Sequence, residues 1–150
     1  LANPDKQVVG IIGDGAFLMT GLETLTASSL GAGGVYFVFN DGELSQISQA
    51  QEIPYNRKTC SVLQELKIKG VADATACEFV AIESDEDCET GIGRALSLAA
   101  QDRPVIVDVK IDYSKRTRFT KGIVKTNLGR FTPGNKFRFI GRALLRKMTG

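Results

Sequence analysis

GDGAFLMTGLETLTASSLGAGGVYFVFND, residues 13–41, decides the fold. Before it lies QVVGII (7–12), a run of β-branched and small apolar residues with the pattern of a strand buried on both faces of a parallel sheet. Gly13-Asp14-Gly15 ends that run, because two glycines allow a tight turn and leave no Cβ in the way of a close ligand. Thr20 with Glu23 three residues on has the spacing of a capping box and predicts a helix over 21–30, with Leu22, Leu25 and Leu30 on its packed side. VYFVF (35–39) is a second buried strand and delivers Asn40 and Asp41 to its own C-terminal end. Strand, turn, helix and strand make one βαβ unit, whose crossover is expected to be right-handed.

The chemistry follows from that topology. Ligands of a parallel sheet gather beyond the carboxyl ends of its strands, where Asp14 and the Asn40-Asp41 pair both belong. Two carboxylates, an amide and a free main-chain carbonyl are hard oxygen donors suited to Mg²⁺, which completes its octahedron with water and substrate phosphates. The main-chain N–H groups of Gly15 and Ala16, near a helix start, are natural donors to a phosphate. The residues alone therefore point to a metal–diphosphate site. A Gly-Asp-Gly by itself often marks only a turn; the weight lies in the two strands, the span and the Asn-Asp ending together.

A GDG turn, about two dozen residues and then Asn-Asn or a close variant after an apolar strand resembles the fingerprint of the thiamine diphosphate-dependent enzymes. GELSQISQAQ (42–51), EFVAIESDED (78–87) and DRPVIVDVKID (102–112) are similar to the matching stretches of acetolactate synthase and its pyruvate oxidase-like relatives, so the resemblance spans most of residues 1–112. It implies an α/β fold, a Rossmann-like parallel sheet with helices on both faces, and thiamine diphosphate with Mg²⁺ as cofactors. It implies Asp14 and Asp41 as side-chain ligands of Mg²⁺, Glu43 as the donor of a main-chain carbonyl, and Gly15 and Ala16 on the diphosphate. Gly13, Asn40, Leu44, Ser45 and Gln46 complete the implied cofactor-binding set. The chain departs from the commoner pattern at Asp41, where the family more often has Asn, and at Leu44 to Gln46, where the synthases carry a Gly-Met pair. The implied activity is decarboxylation of a 2-keto acid followed by carboligation, within a homodimer or homotetramer. The glutamate that activates the cofactor would come from another domain of a partner subunit, so this chain alone is expected to be inactive. Another 2-keto acid decarboxylase or oxidase of the superfamily, or a non-catalytic binding module with a basic tail, are the alternatives. No GxGxxG follows the first strand, which speaks against a nicotinamide enzyme.

Composition bounds these readings. The 150 residues, 43% of them hydrophobic with 16 glycines, suit one compact α/β domain. No apolar run is long enough to span a bilayer and no leader opens the chain, so a cytoplasmic protein is expected. Cys60, Cys77 and Cys88 form no CxxC pair and read as free thiols. The absence of His removes Ser-His-Asp and Cys-His catalysis and imidazole metal sites from this chain. LANPDK (1–6) reads as a helix end and a turn, which implies a fragment of a longer polypeptide.

Further on, Leu44 and Ile47 predict a helix over 42–51 that Pro54 ends, lying over the cofactor. Residues 52–60 read as a polar loop, at the active site or simply on the surface. A short helix over 69–76 and a strand over 78–82 follow. Ser84 with Asp85, Glu86 and Asp87 then predicts an N-cap and an acidic first turn. That helix should turn Ile92, Leu96 and Ala99 inward, and 104–109 is a fourth buried strand. The acidic run 85–89 complements a helix dipole and is not read as a metal cluster.

The last third differs. Of 19 basic residues 11 lie at or after Lys115, and none of the 17 acidic ones does, so the formal +2 divides into −9 and +11. The boundary of the cofactor domain is accordingly set at 1–112, with 113–150 as a basic arm. RTRFTKGIVKTNLGRF (116–131) looks extended, and Phe139, Ala143 and Leu144 are spaced as on one helical face. An arm of this charge can meet an anionic membrane surface, nucleic acid or the acidic body of the same enzyme. The acidic body in the same chain favours packing on its own or a neighbouring subunit over membrane contact, and nucleic acid is not expected.

Overall fold

The computed structural model describes residues 2–3, 5–55, 57–112, 125–126 and 128–149. They divide into two compact units, one of residues 1–42 with 65–111 and one of residues 43–64 with 112–150.

The first unit is a four-stranded parallel sheet: β1 (Val8–Gly13), β2 (Gly34–Asn40), β3 (Glu78–Ile82) and β4 (Val105–Lys110), in the order β1-β2-β4-β3. The chain moves one way across the sheet from β1 to β2 and on to β3, then back to β4. With right-handed crossovers that reversal throws the connecting helices onto opposite faces. Two separate cores show it. On one face α5 (Asp87–Ala99) lays Ala95 and Ala99 on Val35, Val80, Ile82, Val105, Val107 and Val109. On the other, α1 (Asp14–Thr20) brings Phe17, and α4 (Ile68–Ala74) brings Ile68 and Ala72, against Val38 and Ile106. The Rossmann-like α/β reading holds, with helices on both faces.

Several local expectations are corrected. β1 is not buried on both faces: it is the sheet edge, and Val8, Val9 and Ile11 are exposed, Ile11 to 71%. The helix expected over 21–30 is a 3-10 turn (Gly21–Glu23) followed by α2 (Thr24–Ser29), and α1 precedes both. Leu22, Leu25 and Leu30 face outward, because Phe17, Gly21 and Thr24 take the inner side. Thr24 anchors that side through its hydroxyl, which donates to Gly21 O at 2.7 Å and lies 3.1 Å from Thr75 Oγ1. The Thr20–Glu23 capping box does not form; the Thr20 hydroxyl turns back to Ala16 O instead. In α5, Gly91, Ala95 and Ala99 are the buried residues, Leu96 is half-buried and Ile92 is exposed. The reason is close approach: a Cβ on Gly91 would stand 2.7 Å from Ile82 Cγ1, so the helix rides on its smallest side chains. Ser84 does not cap α5 either, since its N–H and hydroxyl both donate to the Asp87 carboxylate.

The second unit contains α3 (Ser45–Tyr55) packed on α6 (Pro133–Thr149). Pro54 does not stop α3; it falls in the last turn, and the helix runs on to Tyr55 with the loss of one ladder bond. The loop after α3 is tied to it by Gln51, whose Oε1 accepts the Thr59 N–H and whose Nε2 donates to Thr59 O. Ser48 Oγ meets Ser61 Oγ at 2.9 Å, and both serines are fully buried. Leu144 does not share a face with Phe139 and Ala143: those two are half-buried and Leu144 is exposed. The reading of 116–131 as an extended arm falls largely on residues outside the described set, and where the stretch is described, at 125–126 and 128–130, it is helical and not extended.

Candidate functional site

Asp14 opens α1, directly after Gly13, which pairs with Phe39 across the β1–β2 ladder. The register therefore sets Asp14 level with Asn40, the last residue of β2. The Asp14 carboxylate is 3% exposed. Its Oδ1 accepts the Gly15 N–H at 2.7 Å and its Oδ2 accepts the Gly42 N–H at 2.8 Å. Gly42 can present that N–H because it sits at φ +72°, a left-handed conformation that a side chain would strain. One carboxylate thus closes the end of β1 against the turn that leaves β2. Among the described residues no Lys or Arg forms an ion pair with Asp14. A buried negative charge held by two amides and no cation is a suitable place for one.

Side-chain alternation supplies the second half of the site. Val38 and Ile106 point into the core under α1 and α4, so Asn40 and Asp108, two residues further along β2 and β4, share that face. Asn40 Nδ2 donates to Asp108 Oδ1 at 3.1 Å. Burial pushes the Asp108 carboxyl above the ordinary aspartate range, while the Asn40 amide and Lys110 pull it down and Glu83 and Asp14 raise it again. Asp108 was not among the residues singled out in the sequence. The available signal was a lone carboxylate inside the otherwise apolar VIVDV of a buried strand.

Asp41 is half-buried immediately after β2, and Gly15 is half-buried beside Asp14. The Gly15 N–H is already turned onto Asp14, and α1 is only 7 residues long, so a phosphate here would depend on a metal more than on a helix dipole. Among the described residues no three carboxylate or thiol groups cluster closely enough to hold a metal unaided. A cation at Asp14 would be completed by main-chain, water or phosphate oxygens, the mixed set that Mg²⁺ accepts.

Glu43, Leu44, Ser45 and Gln46 belong to the second unit. The Glu43 carboxylate is engaged by Lys58 Nζ at 2.6 and 2.7 Å, and this hydrogen bond, opposed by burial, holds its carboxyl below the usual glutamate range. Its side chain is therefore committed, which leaves the main chain as the part of Glu43 suited to a ligand. The Leu44 N–H donates to Ser61 O at 2.8 Å, and Leu44 O accepts from Ile47 and Ser48 as α3 begins. Ser45 is the first residue of α3, and Gln46 is exposed.

Comparison with known proteins gives the family and the fold. Residues 1–109 match the family model described as thiamine pyrophosphate enzyme, C-terminal TPP binding domain. The chain is 30% identical over 114 residues to acetolactate synthase of Bacillus subtilis, covering 76% of the chain and 20% of that relative. It is 31% identical over 114 residues to the catabolic acetolactate synthase of Raoultella terrigena, covering 75% and 20%. Among solved structures, benzoylformate decarboxylase from Polynucleobacter necessarius shares the fold with a TM-score of 0.62 at 22% identity, covering 73% of this chain and 20% of that one. The chain spans about one fifth of the length of each of these relatives. By its matched residues, and by the parallel sheet that brings Asp14 beside the end of β2, the chain belongs to the thiamine pyrophosphate enzymes, as their C-terminal TPP-binding domain.

Proposed function

We propose that this domain anchors the diphosphate and Mg²⁺ of thiamine diphosphate in an enzyme of acetolactate synthase type, acting on 2-keto acids in the cytoplasm as a homodimer or homotetramer of a longer chain. The observation that carries the reading is the buried Asp14 carboxylate, aimed by the N–H groups of Gly15 and Gly42 and lacking a cationic partner among the described residues.

Each residue has a stated task. Asp14 and Asp41 offer side-chain oxygens to the metal, and Glu43 offers its main-chain carbonyl. Ala16 offers its main-chain N–H to the diphosphate, and Gly15, whose own N–H is held by Asp14, leaves room for it by having no side chain. Gly13 and Asn40 shape the strand ends, and Leu44, Ser45 and Gln46 line the approach to the rest of the cofactor. Asp108 holds the Asn40 amide and so fixes which way that side chain turns. Bound thiamine diphosphate supplies the electron sink that 2-keto acid decarboxylation needs. The identities of about 30% to acetolactate synthases support that reaction class.

The test is thermal. A ligand that binds only the folded state stabilises it by about 2.7 kcal/mol at a hundred times its dissociation constant. Mg²⁺ with thiamine diphosphate should raise the melting temperature, and either one alone, with EDTA added to the cofactor, should do much less. An unchanged melting temperature at millimolar concentrations of both would remove the assignment. The 150-residue chain by itself is expected to show no turnover of pyruvate even with both present.

A further inference from the structure

The last helix carries a surface that the cofactor site does not use. α6 reads PGNKFRFIGRALLRKMT, with five basic residues and no acidic one. One side of it is spoken for: α6 packs on α3, and the Phe139 ring lies 5.6 Å from that of Phe131. The other side is open. Phe137, Ile140, Leu144, Leu145 and Met148 are between 45% and 85% exposed.

At 3.6 residues per turn these five side chains follow one another around about 140° of the helix. Lys136 borders that arc on one margin, and Arg138 and Arg142 border it on the other. None of the three forms an ion pair among the described residues. An arc this wide suits a flat apolar phase better than the narrow seam of a paired helix. Cations on both margins suit an anionic layer lying above that phase, because their stems can follow the apolar surface while their charged ends reach up into it. An acidic protein partner would account for the charge but not for five exposed apolar side chains between the cations. No described helix is long and apolar enough to cross a membrane, so the contact is in the plane.

From the exposed apolar arc and its two cationic margins, we infer that α6 is a membrane-surface helix that docks the protein on bilayers bearing anionic phospholipid headgroups. The helix lies along the interface with Phe137, Leu144 and Met148 at its deepest line, and with the Phe139 side held by the rest of its unit. This inference rests on α6 alone and is independent of the cofactor reading.

The chain contains no Trp, so Phe137→Trp gives a sole reporter at the centre of the arc. Its emission should shift to the blue on adding phosphatidylcholine vesicles with one-third phosphatidylglycerol, and the protein should float with them. Pure phosphatidylcholine vesicles should bind at least about tenfold more weakly, and 0.5 M salt should remove most of the difference. Arg138→Gln and Arg142→Gln should each weaken anionic binding by roughly fivefold. Leu144→Asp should weaken it by about tenfold or more, and Leu144→Ala by less. Both Leu144 changes sit on an exposed face, and circular dichroism checks that the helix persists. Absence of binding to the anionic vesicles, or equal binding to neutral ones, would overturn the inference. So would a blue shift that tracks protein concentration without vesicles, which would mean the arc meets a second copy. Binding to a polynucleotide that competes with vesicles and ignores Leu144→Asp would equally overturn it.

Discussion

The Gly42 N–H donates to Asp14 Oδ2 at 2.8 Å across 28 residues of sequence, and this bond joins the end of β1 to the turn after β2. Gly42 reaches that position only in a left-handed backbone conformation, φ +72°. The carboxylate is thereby aimed before any ligand arrives, so a ligand need not supply the entropy of ordering it.

Gly42→Ala should destabilise the protein by about 1–2 kcal/mol, the cost of holding a residue with a Cβ in the left-handed region. Nothing lies within 4 Å of a Cβ built there, so the penalty is backbone strain and not crowding. Gly42→Asn, larger but tolerant of that region, should therefore lose less than Gly42→Ala. Urea midpoints of the two variants check the order; Asn below Ala would point to packing and refute the account.

Asp108 gives a dependence on pH. Its carboxyl is raised in the folded state, chiefly by burial, so folding favours the protonated form. Its contribution is most favourable below the unfolded aspartate range and is lost as pH climbs through the raised folded value. Asp108→Asn keeps an oxygen to accept from Asn40 and removes the titration. Measured without added metal, the variant should gain in melting temperature relative to wild type as pH rises through that window, and the two should converge at lower pH.

The sheet was legible in the sequence because β2, β3 and β4 are short apolar runs with clear ends, and 78–82 was read to the residue. What was misread is the side of each element that faces in. Leu22, Leu25 and Ile92 are the large residues that periodicity turns inward, whereas α5 lies so close to β3 that Gly91 and Ala95 occupy the contact. Before and in α2 it is Gly21, against Phe17, and Thr24, bonded toward Thr75, that lie inside. Size-based periodicity fails wherever close packing selects the smallest residues. In the candidate site, Asp14 and Asn40 were visible from the motif. Asp108 and the Gly42 bond were not, because both depend on register across strands and on a backbone angle.

Glu43 separates a side-chain role from a main-chain one. Lys58 commits its carboxylate, and the pair is partly exposed. Its folded carboxyl is depressed, so the contribution is present above the unfolded glutamate range and lost as pH falls through the folded value. Lys58→Met should cost at most about 1 kcal/mol at neutral pH and nothing in strong acid. If only the Glu43 carbonyl serves the metal, Glu43→Gln should leave Mg²⁺-dependent cofactor affinity within about threefold of wild type, by analogy with conservative exposed changes. A loss approaching that of an Asp14 variant would show that the carboxylate itself is the ligand.

The metal assignment meets its hardest test at Asp14 and Asp41. Asp14→Ala deletes a proposed Mg²⁺ oxygen and leaves the Gly42 N–H without its acceptor, at a cost of about 1–3 kcal/mol in stability. Binding must therefore be measured on variants shown by circular dichroism to be folded. Asp41→Asn restores the residue more common in the resembled family and keeps an oxygen of the same reach. One fewer negative charge weakens the hold on the metal but also reduces repulsion toward the diphosphate, and the two effects oppose each other. Asp41→Ala removes the same charge and the oxygen as well, so nothing replaces the lost ligand. Calorimetric titration of Mg²⁺ and thiamine diphosphate should thus show a severe loss for Asp14→Ala and Asp41→Ala, and a shift of only a few-fold for Asp41→Asn. If folded Asp14→Ala binds as wild type does, the buried carboxylate serves only to join β1 to the turn after β2, and the cofactor's metal is held elsewhere.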